Sequence, residues 1–163
     1  MRVLGVDPGL TCAGFGLVER SNAGVKAVSY GAIRTAPGPV PGRLSSLYGR
    51  LEELIGSLEP DALAVERVLF NANVRTAMSV AQAAGVALLA GAQADCEIAE
   101  YTPSEVKLSI TGDGAADKAR VQMMVRRLLG LPSTPKPPDA ADALALALTH
   151  LQTRKLRRMQ DSA

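Results

Sequence analysis

Two short apolar runs constrain this chain most. Val3-Leu4-Gly5-Val6 ends on Asp7, and Ala62-Leu63-Ala64-Val65 ends on Glu66. Runs of this kind fit buried strands. A carboxylate at the tip of a buried strand is costly unless it is paired or bound to a metal. Pro8-Gly9 forces a turn directly after Asp7 and leaves room for a ligand near the backbone. Ala13, Phe15, Leu17 and Val18 then restart a strand, which predicts a hairpin. A helical pattern separates the two acid-tipped runs, so the second is expected to lie parallel to the first. Asp7 and Glu66 then share one sheet edge, where open α/β sheets bind ligands. The plainer alternatives are an Asp that only starts a turn and a Glu that pairs with Arg67 at the surface.

The rest of the pattern supplies the frame. Val25–Arg34 reads as a third antiparallel strand, and Thr35–Gly42 with its three prolines as a loop. Leu44, Leu47, Leu51, Leu54, Ile55 and Leu58 mark one face of a helix over Arg43–Leu58. Asn73 is a candidate N-cap for a helix to about Ala94. Thr76–Ala94 is uncharged over 19 residues, the length of a membrane span. Its Ala, Gly, Ser and Gln content predicts a buried central helix instead. Ala77, Ala81, Ala84, Gly85 and Leu88 give it a smooth face, suited to another helix of this chain or of a second subunit. Glu97–Tyr101 is a strand, Pro103 opens a short helix to about Ile110, and Asp117–Leu129 is a helix with Val121, Met124, Val125, Leu128 and Leu129 inward. A stiff segment with four prolines, Leu131–Pro138, delivers the last helix, Asp139–Gln152. The expected organisation is one domain over residues 1–152 and a basic tail over 153–163, whose order the sequence leaves open.

Asp139 and Asp142 lie three apart and so share a helix face. The helix dipole favours an acid in the first turn, which accounts for Asp139 better than for Asp142. His150 is the only histidine. It stands eleven residues past Asp139, about 16 Å along the axis, and cannot share a metal with it. Cys12 and Cys96 lack metal-ligand spacing and are expected to be small buried hydrophobes in a reduced, cytoplasmic protein.

Asp7, Glu66, Asp139 and Asp142 therefore form an all-oxygen donor set, which suits magnesium or manganese and not zinc. Two divalent cations would offset the mutual repulsion of these acids. Paired cations can activate a water and stabilise a leaving oxygen in phosphodiester hydrolysis. The net charge of +2 is too small to declare a polyanion partner. From Lys107 to Arg127, however, five bases (Lys107, Lys118, Arg120, Arg126, Arg127) face two acids. The tail after Gln152 carries a surplus of three. Both can be solvated faces or a nucleic-acid footprint.

Gly-Val-Asp-Pro-Gly at 5–9, Glu66-Arg67-Val68, Thr-Pro-Ser-Glu-Val-Lys at 102–107 and Asp-Ala-Ala-Asp-Ala-Leu-Ala at 139–145 together resemble the RuvC-type Holliday junction resolvases of the RNase H-like nuclease superfamily. The resemblance runs over nearly the whole chain. It implies an RNase H-like α/β fold, with a five-stranded mixed sheet of three antiparallel then two parallel strands, flanked by helices. It implies that the four acids are catalytic and hold two Mg2+ or Mn2+ ions, with Asp7 between the ions, Glu66 on one and the final-helix aspartates on the other. It places Lys107 and Lys118 on DNA near the cut. The family position often held by an aromatic residue at the junction centre is Leu69 here, with Phe70 one place later. Phe70 suits either the core or contact with bases. The resemblance also implies a homodimer acting on four-way junction DNA with the RuvAB branch-migration complex, in recombination and repair.

Two other classes share parts of this pattern. Gly-Val-Asp-Pro-Gly-Leu-Thr also resembles the phosphate loop of ATP-binding modules of the sugar-kinase and actin kind, which normally need two such domains. An RNase H-like nuclease acting on RNA precursors would use the same acids.

Overall fold

The structure is a computed structural model that describes residues 1–69 and 73–161; Phe70 lies outside the described residues. Its elements in chain order are β1 (Arg2–Asp7), β2 (Cys12–Ser21), β3 (Gly24–Arg34), α1 (Val40–Leu58), β4 (Ala62–Glu66), α2 (Val74–Gln93), β5 (Glu97–Tyr101), α3 (Pro103–Thr111), α4 (Lys118–Leu128) and α5 (Pro138–Asp161). They form a five-stranded sheet in the order β3-β2-β1-β4-β5. β1, β2 and β3 pair antiparallel, whereas β4 pairs parallel with β1 and β5 parallel with β4. The expected mixed sheet is the observed one.

Strand alternation sorts the core into two layers. Leu4, Val6, Leu63 and Val65 point to α1 and α2, where they meet Leu47, Leu51, Ile55, Ala83 and Ala87. Val3, Ala62 and Ala64 point the other way, to α3, α4 and α5, with Val106, Val121, Val125 and Leu144. Asp7 follows Val3 and Gly5 on this second face, and Glu66 follows Ala62 and Ala64. The same period that buries the strands therefore aims both acids at α5.

Three expectations about helices are corrected. The central buried helix is α5, not α2. From Ala140 to Leu151 every residue of α5 is buried except Asp142, because this stretch lies between the sheet and α3 and α4. α2 is an outer helix. Its length and composition alone would allow it to cross a membrane, but it packs inward through Ala83, Ala84, Ala87, Ala90 and Gly91. Ala84, on the face expected to meet another helix of this chain or of a second subunit, is one of these inward residues. The exposed apolar stripe runs instead through Val74, Met78 and Leu89. Leu128, expected inward on α4, is exposed. α5 also continues past Gln152 to Asp161, through most of the expected tail. There Arg154 pairs with Glu97 at 3.1 Å.

Candidate active site

The site lies at the carboxyl edge of β1 and β4. Val6 is opposite Val65 in the parallel ladder, so the next residues, Asp7 and Glu66, come out side by side. α5 brings the aspartates to the same place through glycines. Asp7 faces Gly14 across the β1–β2 ladder, and a Cβ on Gly14 would strike the backbone carbonyl of Asp139. One on Gly5 would strike the carbonyl of Ala143. Backbone meets backbone here: the first turn of α5 rests on β2 at Gly14, and the next turn on β1, the strand that carries Asp7.

Carboxylate oxygens of Asp7, Asp139 and Asp142 all lie within 4.8 Å of one another. Glu66 is not part of that cluster, but it lines one cavity of about 320 Å³ together with Asp7, Asp142, Lys107 and Lys118. Burial, then the charges of Glu66, Asp142 and Asp139, push the Asp7 carboxyl up to about 8 from its ordinary 3.8. Burial and then Asp142 raise Glu66. Such a crowd of acids is held against its own repulsion, the electrostatic condition of a cation site. Three converging oxygens with no competing imidazole fit a hard divalent cation. The donor set and its spacing thus fit the expected metal.

Both expected lysines reach this cavity. Thr102 and Glu105 cap α3 reciprocally: Glu105 N donates to Thr102 Oγ1 at 3.2 Å, and Thr102 N donates to Glu105 Oε2 at 2.7 Å. That fixes the helix carrying Lys107. Asp117 caps α4 by accepting from Arg120 N at 2.8 Å, which sets Lys118 at the first position of that helix. Lys118 Nζ lies 2.8 Å from Asp142 Oδ2. This pairing, followed by the other acids, raises the Lys118 ammonium. Leu69 is 45% exposed and lines a neighbouring groove with Glu66, Arg67 and Asn73. Asn73 does cap α2, accepting from Thr76 N at 3.3 Å.

His150 is structural, buried in the core with Nδ1 2.9 Å from the Tyr101 hydroxyl. The cysteines are not buried hydrophobes. Both are half-buried, and Cys12 Sγ–H donates to Asp139 Oδ2 at 3.5 Å. Sequence reasoning missed this neighbour of the site. Cys12, Gly14 and Gly16 alternate along one face of β2, a signal that has meaning only once α5 is known to cover that face.

Comparison with known proteins agrees with this geometry. The family model described as crossover junction endodeoxyribonuclease RuvC matches residues 3–150. A crossover junction endodeoxyribonuclease RuvC from Syntrophomonas wolfei is 47% identical over 100% of this chain and 95% of its own length. One from Chloroflexus aggregans is 50% identical over 94% of both chains. Among solved structures, Thermus thermophilus RuvC in complex with a Holliday junction substrate superposes with a TM-score of 0.89, at 35% identity over 96% of each chain. This chain, with its RNase H-like sheet and its acids gathered at the edge of β1 and β4, belongs to the RuvC family of crossover junction endodeoxyribonucleases.

Proposed function

We propose that this protein is a structure-selective endonuclease that resolves four-way DNA junctions by paired, symmetric nicks, in homologous recombination and repair. The observation that carries this reading is the convergence of Asp7, Asp139 and Asp142 oxygens within 4.8 Å at the sheet edge, in a chain of this family.

The catalytic residues are Asp7, Glu66, Asp139 and Asp142. Asp7 has acids on both sides and would bridge two ions, with Glu66 on one and Asp139 and Asp142 on the other. Two bound Mg2+ or Mn2+ ions would supply an activated water and charge stabilisation for the leaving oxygen. The chain's own part is to hold its oxygens at fixed spacing and to bring the phosphate to them. Lys107 and Lys118 flank the acids and offer ammonium groups to the phosphates next to the cut. Leu69, or Phe70 one place later, is the candidate for the junction centre, where apolar side chains can part stacked bases.

A four-way junction has two-fold symmetry, so cuts on opposite strands call for a two-fold dimer. The Val74–Met78–Leu89 stripe of α2 is the candidate interface. The family's RuvAB branch-migration complex is the expected partner assembly, and the cytoplasm the expected compartment.

The test is a synthetic immobile junction incubated with Mg2+ or Mn2+, with nicks mapped on all four strands. Paired nicks on two opposing strands are expected, absent in Asp7→Asn while junction binding survives. Equal cutting of linear duplex, or cutting of structured RNA in place of the junction, would overturn the assignment.

A further inference from the structure

Lys107 and Lys118 approach the acids from the α3 and α4 side only. The other side of the same sheet edge carries its own bases. β3 runs parallel to β1, because both pair antiparallel with β2. Arg34 and Thr35 at the end of β3 therefore come out at the edge that carries Asp7. Arg34 stands in register with Cys12, and its charge acts on the Cys12 thiol, which in turn touches Asp139. Arg34 is exposed.

Arg43, in the first turns of α1, reaches back to the same loop. Its Nε donates to Thr35 Oγ1 at 2.9 Å, and its Nη2 donates to Thr11 Oγ1 at 3.0 Å. The Thr35 hydroxyl spends its own proton on the Leu10 carbonyl at 2.5 Å, so it can only accept from Arg43. Thr35 N donates to Thr11 O at 3.2 Å, which closes the network around the turn that follows Asp7.

This arrangement fixes a guanidinium without neutralising it. Two of its five N–H donors go to hydroxyls. Among the described residues, no carboxylate lies within ion-pair distance of Arg34 or Arg43. A residue needed only to tie the loop down would serve as well when neutral or paired. A full positive charge with donors to spare, beside a second exposed arginine, suits a phosphate.

We infer that Arg43 and Arg34 form a phosphate subsite for the substrate strand, on the side of the acids opposite Lys107 and Lys118. This rests on the nuclease reading above. β3 lies two strands from β1, or about 10 Å. Each DNA strand carries a phosphate about every 3.4 Å of axis. The phosphate held is therefore within about three positions of the scissile one, and the strand is gripped on both sides of the cut.

The experiment measures binding of an immobile junction, without divalent metal, across a salt series. It compares the full chain with Arg34→Ala, Arg43→Ala and Arg43→Lys. It is repeated on junctions bearing a single uncharged methylphosphonate at each phosphate around the crossover in turn. Each alanine variant is expected to reduce the salt slope by about one, with Arg43→Lys retaining most of it. One methylphosphonate position should weaken the wild type several-fold and add no further loss in the matching alanine variant. Mn2+ titration, read by electron paramagnetic resonance, should show the acids unaltered in Arg34→Ala. If Arg43→Ala fails to fold, Arg34→Ala decides alone, since no side-chain hydrogen bond anchors Arg34 among the described residues. Wild-type slopes in the alanine variants, or methylphosphonate penalties that persist in them, overturn the subsite while leaving the nuclease reading standing. A wild type that binds no junction removes both.

Discussion

Gly14 lies directly under Asp139: the space that a Cβ at position 14 would take is filled by the Asp139 backbone. The absence of a side chain on β2 is thus what lets an acid from the far end of the chain reach Asp7. Gly5 does the same for the next turn of α5 at Ala143. Gly14→Ala would force the first turn of α5 off the sheet, because the obstacle is backbone and not a flexible tip. We expect a loss of about 2–3 kcal/mol in stability and a weaker Mn2+ affinity, measured by denaturant unfolding and metal titration. Gly49→Ala is the control. Its Cβ would meet open space on α1, and removing a helical glycine should stabilise by about 0.5–1 kcal/mol.

Asp7 carries the largest electrostatic load. Its carboxyl is raised to about 8 from 3.8, so the metal-free fold prefers the protonated form. Stability linked to this group is complete below about pH 4 and is lost as pH climbs towards about 8. Metal-free Asp7→Asn should therefore melt higher than the wild type at pH 8, by on the order of 2–3 kcal/mol. The difference should vanish near pH 4. Mg2+ should reverse the order by stabilising the wild type and barely affecting the variant. Thermal melts at the two pH values, with and without Mg2+, check all of this. An Asn variant no more stable than the wild type at pH 8 would mean that the acids do not crowd one another.

Much of this site is legible in the sequence, and what is not has a physical reason. Asp7 and Glu66 can be paired from local pattern alone. Two short apolar strands that each end on an acid, with a crossover helix before the second, leave few ways to arrange them. Asp139 and Asp142 share a helix face by spacing. Which helix covers which strand is a non-local matter, and it depends on gaps as much as on side chains. Gly5 and Gly14 read as weak points in strands until α5 is laid across them. Cys12 has no local partner, so its contact with Asp139 is invisible before the fold. α2 misleads for a related reason. An uncharged, alanine-rich stretch fits a core helix, yet the same composition serves an outer helix whose far side stays exposed.

That exposed side makes a prediction of its own. Val74, Met78 and Leu89 are 70%, 56% and 51% exposed, which is unusual for large apolar side chains grouped on one helix. If this stripe is the dimer contact, Met78→Glu places a charge in an apolar interface and should dissociate the dimer. Sedimentation would then show monomers at concentrations where the wild type is dimeric. Nicks should become unpaired, because one subunit then cuts without its partner. A dimeric Met78→Glu would move the interface elsewhere.

Lys118 completes the set. Its ammonium rests 2.8 Å from Asp142 Oδ2, inside the group of acids that would bind cations. In the metal-free protein it therefore acts as a partial counterion, and a metal must displace it or share Asp142 with it. Lys118→Ala removes that competition and should tighten Mn2+ binding several-fold in the absence of DNA. The same change should weaken junction binding and lower its salt slope by about one, as the proposed phosphate contact requires. The two effects have opposite signs and come from one side chain, so simple damage to the fold cannot produce both. A variant that binds Mn2+ more weakly, or that keeps the wild-type salt slope, would separate Lys118 from the metal site or from the DNA respectively.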